Sequence, residues 1–149
     1  MQELDKCAEL AKAIKEKDED IFELKSRIMS AGCQVITGMP RSAGTPIIKA
    51  DLYLIRLERL EAERTRLYES LKNTWREAKT KLQVAGVKGA SAFFVLKLRF
   101  YHGYEWDMCA AKMKEAYPNE KWSLSKCYRV YRSILHKIEC ESLCKMRIE

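Results

Sequence analysis

Little in these 149 residues interrupts a helix: there are only three prolines and six glycines. A β-sandwich or barrel of this length would need more turn residues, so the scarcity points to helices. Long apolar runs are missing too. The most apolar stretch, Ser91–Leu98, falls far short of the roughly 20 residues that cross a bilayer, so no membrane partner is expected. There is no CxxC pair, no HExxH, no Walker loop and no glycine-rich dinucleotide turn. No nucleophile, base and orienter stand together as a set; the chain is not expected to be an enzyme or to need a cofactor.

Cysteine is the residue type that is not scarce. Cys7, Cys33, Cys109, Cys127, Cys140 and Cys144 could be taken for a disulfide set. The chain has no signal peptide, is charged from Glu3 onward, and places several of these cysteines on apolar stripes. Reduced thiols in a cytoplasmic protein are therefore expected. His136, Cys140 and Cys144 share one helix face at i, i+4, i+8 and could offer three soft ligands. Structural zinc usually takes four, in paired knuckles, so half-buried thiols are the better expectation and no metal site is assigned.

The net charge of +7 is unevenly placed. Residues 1–85 hold 16 Lys and Arg against 14 Asp and Glu, and residues 86–149 hold 12 against 7. Acid is wholly absent from Ser123–Ile138, where Lys126, Arg129, Arg132 and Lys137 lie. A basic stripe on one element is the electrostatic footprint of phosphate contact, although a solvated surface helix has the same charge pattern.

From Met1 to Ala31, Cys7, Leu10, Ile14, Ile21, Leu24 and Ile28 recur at three- and four-residue spacing, with Lys17 the one polar break. That is one face of an amphipathic helix. Gly32 to Pro46, with Gly38, Pro40, Arg41 and Gly44, reads as a loop. Ile47 to Ala85 has neither Gly nor Pro; Thr45 can cap it, and Pro46 suits the first helical position. Tyr53, Leu57, Leu60, Leu67, Leu71 and Ala78 repeat at heptad-like spacing beside Leu54, Trp75 and Leu82, and Arg64 interrupts the stripe. Such a helix, on the order of 60 Å long at 1.5 Å per residue, needs cover from the first helix, from a second copy of the chain, or from both. The fold expected is all-α. Residues 1–85 form a long, coiled-coil-like helical hairpin for dimerisation or partner binding. Gly86 and Gly89 are the hinge to a second domain, 86–149.

That second domain divides into three helices. Ser91 to His102 carries Phe94, Val95, Leu98 and Tyr101 on one side and stops at Gly103. The next starts after Glu105, has Trp106, Cys109, Ala110 and Met113 inward, and ends at Tyr117-Pro118-Asn119; Glu105 and Asp107 read as cap residues, and His102 as a helix-end residue that the dipole favours. The last has Ser123 as N-cap and Cys127, Val130, Tyr131, Ile134 and Ile138 inward. Its other face carries Ser125, Lys126, Tyr128, Arg129, Arg132 and Ser133. These are cations for phosphates, hydroxyls for phosphates or base edges, and arginines able to grip guanine. With Ser123 they form the candidate DNA-binding set, since a short helix, a turn and a basic helix can seat the last one in a major groove.

The run VLKLRFYHGYEWDMCAAKM followed by SLSKCYRVYRSILHKI resembles region 4 of bacterial sigma factors. It is more similar still to small phage-encoded regulators that join a helical N-terminal part to a region-4-like helix-turn-helix. Leu98-Arg99, Gly103, Trp106, Ala110 and Ser125–Leu135 carry the likeness, which covers about the last third of the chain. The turn Tyr117–Trp122 is longer than that pattern's, which changes how the last helix projects; Trp122 is expected to wedge beneath it as core.

The resemblance implies a sequence-specific DNA-binding transcriptional regulator of phage or prophage type. Double-stranded DNA would be its partner, with host RNA polymerase, another host protein complex or a homodimer mate at the hairpin. A protein-binding module that acts on a host complex, polymerase or a defence nuclease, is the alternative. A DNA-packaging recognition protein ranks third, because small terminase subunits usually carry their helix-turn-helix at the other end.

Overall fold

The computed structural model describes the backbone of residues 2–33 and 45–146, and the side chains of residues 2–30 and 51–141. Among the described residues five helices follow in order: α1 (Gln2–Cys33), α2 (Thr45–Val84), α3 (Ala90–Leu96) continuing into a π-helical turn (Lys97–Tyr101), α4 (Trp106–Ala116) and α5 (Leu124–Met146). The described residues contain no strand, as the all-α expectation required, and none of their helices is long and apolar enough to cross a membrane. The expected loop at Gly32 to Pro46 falls largely outside the described residues, with Gly38, Pro40, Arg41 and Gly44; the capping roles of Thr45 and Pro46 also lie outside, although α2 does begin at Thr45.

The chain divides into two compact units, 1–11 with 71–149, and 12–70. This differs from a partition at residue 85. Residues 2–11 of α1 and 71–84 of α2 belong with the C-terminal helices. Leu4, Cys7, Leu71, Ala78 and Leu82 are all buried. Trp75 meets Tyr101 edge-on with ring centroids 6.0 Å apart, and the Lys79 ammonium lies over Phe93. The expected hinge is likewise a fastened turn. Gly86, at φ 75°, donates to Gln83 O at 3.1 Å while Val87 donates to Leu82 O at 3.0 Å. This pair of bonds closes α2 with a left-handed residue that glycine supplies without strain, and buried Val87 and Leu82 supply the apolar contact that goes with it.

In the larger unit, α3, α4 and α5 enclose Val95, Leu98, Cys109, Ala110, Met113, Trp122 and Cys127, with Phe94, Trp106, Tyr117 and Val130 packed around them. The inward sets expected of these helices are there. Leu96 and Phe100 are buried as well, so this segment is apolar on two sides, one more than its helical periodicity indicated. The π turn contributes to that. His102 N–H donates to Lys97 O, five residues back, at 3.0 Å; the extra residue per turn changes the angular register. Phe100 then reaches Tyr131 at 5.7 Å while its neighbour Tyr101 reaches Trp75.

In the unit 12–70, Ile14, Ile21 and Leu24 are buried, and Tyr53, Leu57, Leu60 and Leu67 are half-buried. Ion pairs Lys17–Glu63, Lys25–Glu61 and Arg64–Asp18 join its two helical segments. Leu54, expected beside the seam, is instead exposed, as are Phe22, Met29, Leu52 and Ile55.

Candidate nucleic-acid interface

The start of α5 is set by Ser123. Its Oγ accepts the Lys126 N–H at 3.2 Å, which satisfies one of the donors that every helix N-terminus leaves open. Inward from there Cys127 and Ile134 are buried, while Val130, Tyr131 and Ile138 are half-buried. The opposite face is solvated: Ser125, Arg129, Arg132 and Ser133 are exposed, and Tyr128 keeps 43% of its surface. From Ser125 to Ser133 that face extends about 12 Å at 1.5 Å per residue, comparable with the roughly 12 Å width of a major groove.

Not every expected residue is free to reach outward. The Lys126 ammonium lies 2.9 Å from Glu120 and 4.0 Å above the centre of the Trp122 ring. Its charge is partly neutralised and its chain laid over the turn, so it fastens the Tyr117–Trp122 connection to α5. Ser123 is occupied as a cap. Arg129 and Arg132 form no ion pair with any described residue. Leu124, which the sequence reading passed over, is 39% exposed and shares a stripe with Tyr128 at i, i+4; its place directly after the cap and off the inward set was the signal.

A network of rings and one arginine fixes α5 against α4. Trp106 sits 4.7 Å from Tyr128 and 5.3 Å from Tyr131 between ring centres. The Arg99 guanidinium lies 5.4 Å from the Trp106 ring; its Nη1 donates to Tyr104 O at 2.9 Å and to Glu105 Oε2 at 3.0 Å. Glu105 therefore occupies the N-cap position of α4 without a capping hydrogen bond, and its carboxylate serves the arginine instead, a correction to the role expected for it. Asp107 does lie in the first turn of α4. Trp122 is core, as expected, at 4% exposure, and its Nε1–H has no acceptor.

The titratable groups nearby follow burial. Desolvation raises the thiols of Cys109, to about 11, and of Cys127. His102 is shifted down by burial first and by the Lys97 charge second, and it stands at the C-cap of the π turn. His136 Nδ1 and Cys140 Sγ are 3.2 Å apart, Cys144 lies outside the described side chains, and the described residues hold no group of three or more metal-ligating side chains.

Comparison of the chain with family models, curated proteins and solved structures finds no match.

Proposed function

We propose that the protein is a sequence-specific DNA-binding regulator of phage or prophage type, acting in the cytoplasm. In this reading α4, the Tyr117–Trp122 turn and α5 form a region-4-like helix-turn-helix, and α1 with α2 forms a hairpin. One observation carries it: Arg129 and Arg132 stand exposed and without an ion pair among the described residues, on an acid-free helix face whose orientation the Arg99–Trp106–Tyr128 stack holds. Ser125, Tyr128 and Ser133 complete the docking face, and the cap on Ser123 sets where it begins. Lys126 is left to hold the turn.

Binding of duplex DNA through this face releases counterions, so affinity falls with salt at a slope of about −0.9 per phosphate neutralised. The test is selection of a binding site from a random duplex library by the full chain, followed by anisotropy on the selected site. Replacing Arg129 and Arg132 together by Ala is expected to abolish binding while circular dichroism stays helical. Retained binding by that variant overturns the docking face.

A second reading has its own observation. Phe22 and Met29 are exposed at 73% and 74%, and Leu52, Leu54 and Ile55 leave one part of α2 apolar on several sides. Surface of that kind marks association, so a second copy of the chain or a host protein complex such as polymerase is the partner proposed for residues 12–70. Sedimentation of the full chain alone, then with polymerase, separates the two.

A further inference from the structure

On the larger unit a row of rings runs from α2 across the π turn. Trp75 meets Tyr101 at 6.0 Å, Tyr101 meets His102 at 5.2 Å, and His102 lies almost parallel to Tyr104, at 17° and 5.7 Å. The first contact is packing, and both rings are half-buried. The last pair needs another account, because His102 and Tyr104 are exposed and their rings cover no core.

The backbone beneath that exposed pair is held unusually firmly. Tyr104 N–H donates to Leu98 O at 3.1 Å, and its carbonyl accepts from Arg99 Nη1 at 2.9 Å and from Cys109 Sγ at 3.6 Å. His102 N–H closes the π turn. Between them Gly103 takes φ 66°, so the reversal that brings Tyr104 over His102 is strained for any residue with a side chain. Rings that are solvated yet fixed in place are a preformed surface for another flat ring, because little ordering entropy remains to be lost on stacking.

One cation lies on the row, and two more share a helix face with its first ring. Lys97 lies over Tyr101 at 5.6 Å and Lys79 over Phe93 at 6.0 Å, while Lys72, Trp75 and Lys79 share one stripe of α2 at i, i+3, i+7. None of these lysines is ion-paired to a described residue. The adjacent acid, Glu105, is paired with Arg99. Exposed aromatic faces interleaved with unpaired cations match a strand of unpaired nucleotides, which offers flat bases and phosphates together. A duplex offers its phosphates but keeps its bases stacked inside.

We infer that Tyr104 and His102, with Lys97 beside them and the lysines that share the Trp75 stripe of α2 on the same unit, form a stacking platform for an unpaired polynucleotide strand, distinct from the duplex-docking residues of α5. The ligand chemistry is shared by single-stranded DNA and RNA.

The experiment is fluorescence anisotropy of short labelled oligothymidylate and oligouridylate with the full chain at low salt. Saturable binding of either strand is expected, the stronger naming the source. Tyr104→Ala should weaken it about tenfold, the lower part of the range for losing one base–aromatic stack, whereas Tyr104→Phe should retain it. Lys97→Gln, which leaves every ring in place, should also weaken it and steepen no other transition. Replacing Arg129 and Arg132 by Ala should leave strand binding unchanged, so failure of the duplex reading and failure of this one are told apart. Absence of saturable binding to both strands, or equal affinity for wild type, Tyr104→Ala and Lys97→Gln, overturns the platform.

Discussion

Arg64 of α2 donates from Nη1 to Asp18 Oδ1 of α1 at 3.1 Å. One residue away on each helix, Lys17 meets Glu63 at 2.9 Å. Lys17 and Arg64 are the two residues that interrupt the apolar stripes of their helices, and each interruption is answered by an acid next to the other. The polar breaks in the two seams therefore share one level, where they fix the alignment of the segments more than they stabilise them. Lys17 is raised and Glu63 lowered, in each case chiefly by their mutual hydrogen bond. Both pairs are partly solvated, and such pairs contribute little. Arg64→Ala is expected to cost less than about 1 kcal/mol in chemical denaturation. Exchanging the partners, Asp18→Arg with Arg64→Asp, should recover most of the loss; a loss above about 3 kcal/mol for the single variant would show a buried pair instead.

Trp122 separates volume from hydrogen bonding. Its ring is core, yet its Nε1–H is unpartnered, and an unsatisfied buried donor costs on the order of 1–3 kcal/mol. Trp122→Phe removes that donor while keeping most of the ring, so it should fall within about 1.5 kcal/mol of wild type. Trp122→Ala should lose about 3–5 kcal/mol. Urea midpoints of the two variants provide the comparison.

Lys126 and Arg129 are adjacent basic positions by periodicity, but Lys126 is paired with Glu120 and Arg129 with no described residue. Lys126→Ala is expected to lower the thermal midpoint, through loss of its contacts with Trp122 and Glu120, and to change the salt slope of duplex binding by less than one unit. Removing Arg129 and Arg132 together should reduce that slope by about two with little change in midpoint. The opposite pattern would exchange the roles assigned here.

The thiols should differ in reactivity. Cys7 and Cys109 are buried and pushed up to about 11, and Cys127 is buried and raised in the same direction. At pH 8 a thiol with a value near 11 is ionised in only about one molecule in a thousand, and the thiolate is the reactive form. Cys140 is exposed. Iodoacetamide labelling of the native chain, mapped by peptide mass, should modify Cys140 well before the other three. Labelling of Cys109 at a comparable rate would mean that the three-helix core opens readily.

His102 is expected to contribute an acid limb to stability. Its folded value is depressed by burial and by Lys97, so protonation favours the unfolded chain. The stability tied to its neutral form is fully present above the ordinary histidine value of about 6.5 and declines as pH falls through the lower folded value. His102→Gln should flatten the fall of the thermal midpoint between about pH 6.5 and pH 5; an unchanged pH profile would place the titration elsewhere.

Much of the architecture was legible in the chain because it rests on local signals. The spacing of Cys7, Ile14, Ile21 and Leu24 marked the inner face of α1. The Ser123 cap marked the start of α5 to the residue, and the inward sets of α4 and α5 followed from a 3.6-residue period. The outward basic face was legible for the same reason. Less visible was which of its cations is free, since the Lys126 pairing joins residues across a turn whose path no periodicity describes.

Composition and periodicity alone pointed to helices, to about where they begin and to most of the faces they bury, because backbone hydrogen bonding and apolar spacing act over a few residues. Tertiary packing decided the rest. It drew the outer turns of α1 and α2 into one unit with the C-terminal helices, widened the end of α3 into a π turn that serves two apolar partners, and set Arg99 on Trp106. It also turned Tyr104 out over His102. Those outcomes depend on contacts between residues far apart along the chain, whose geometry exists only once the helices have packed.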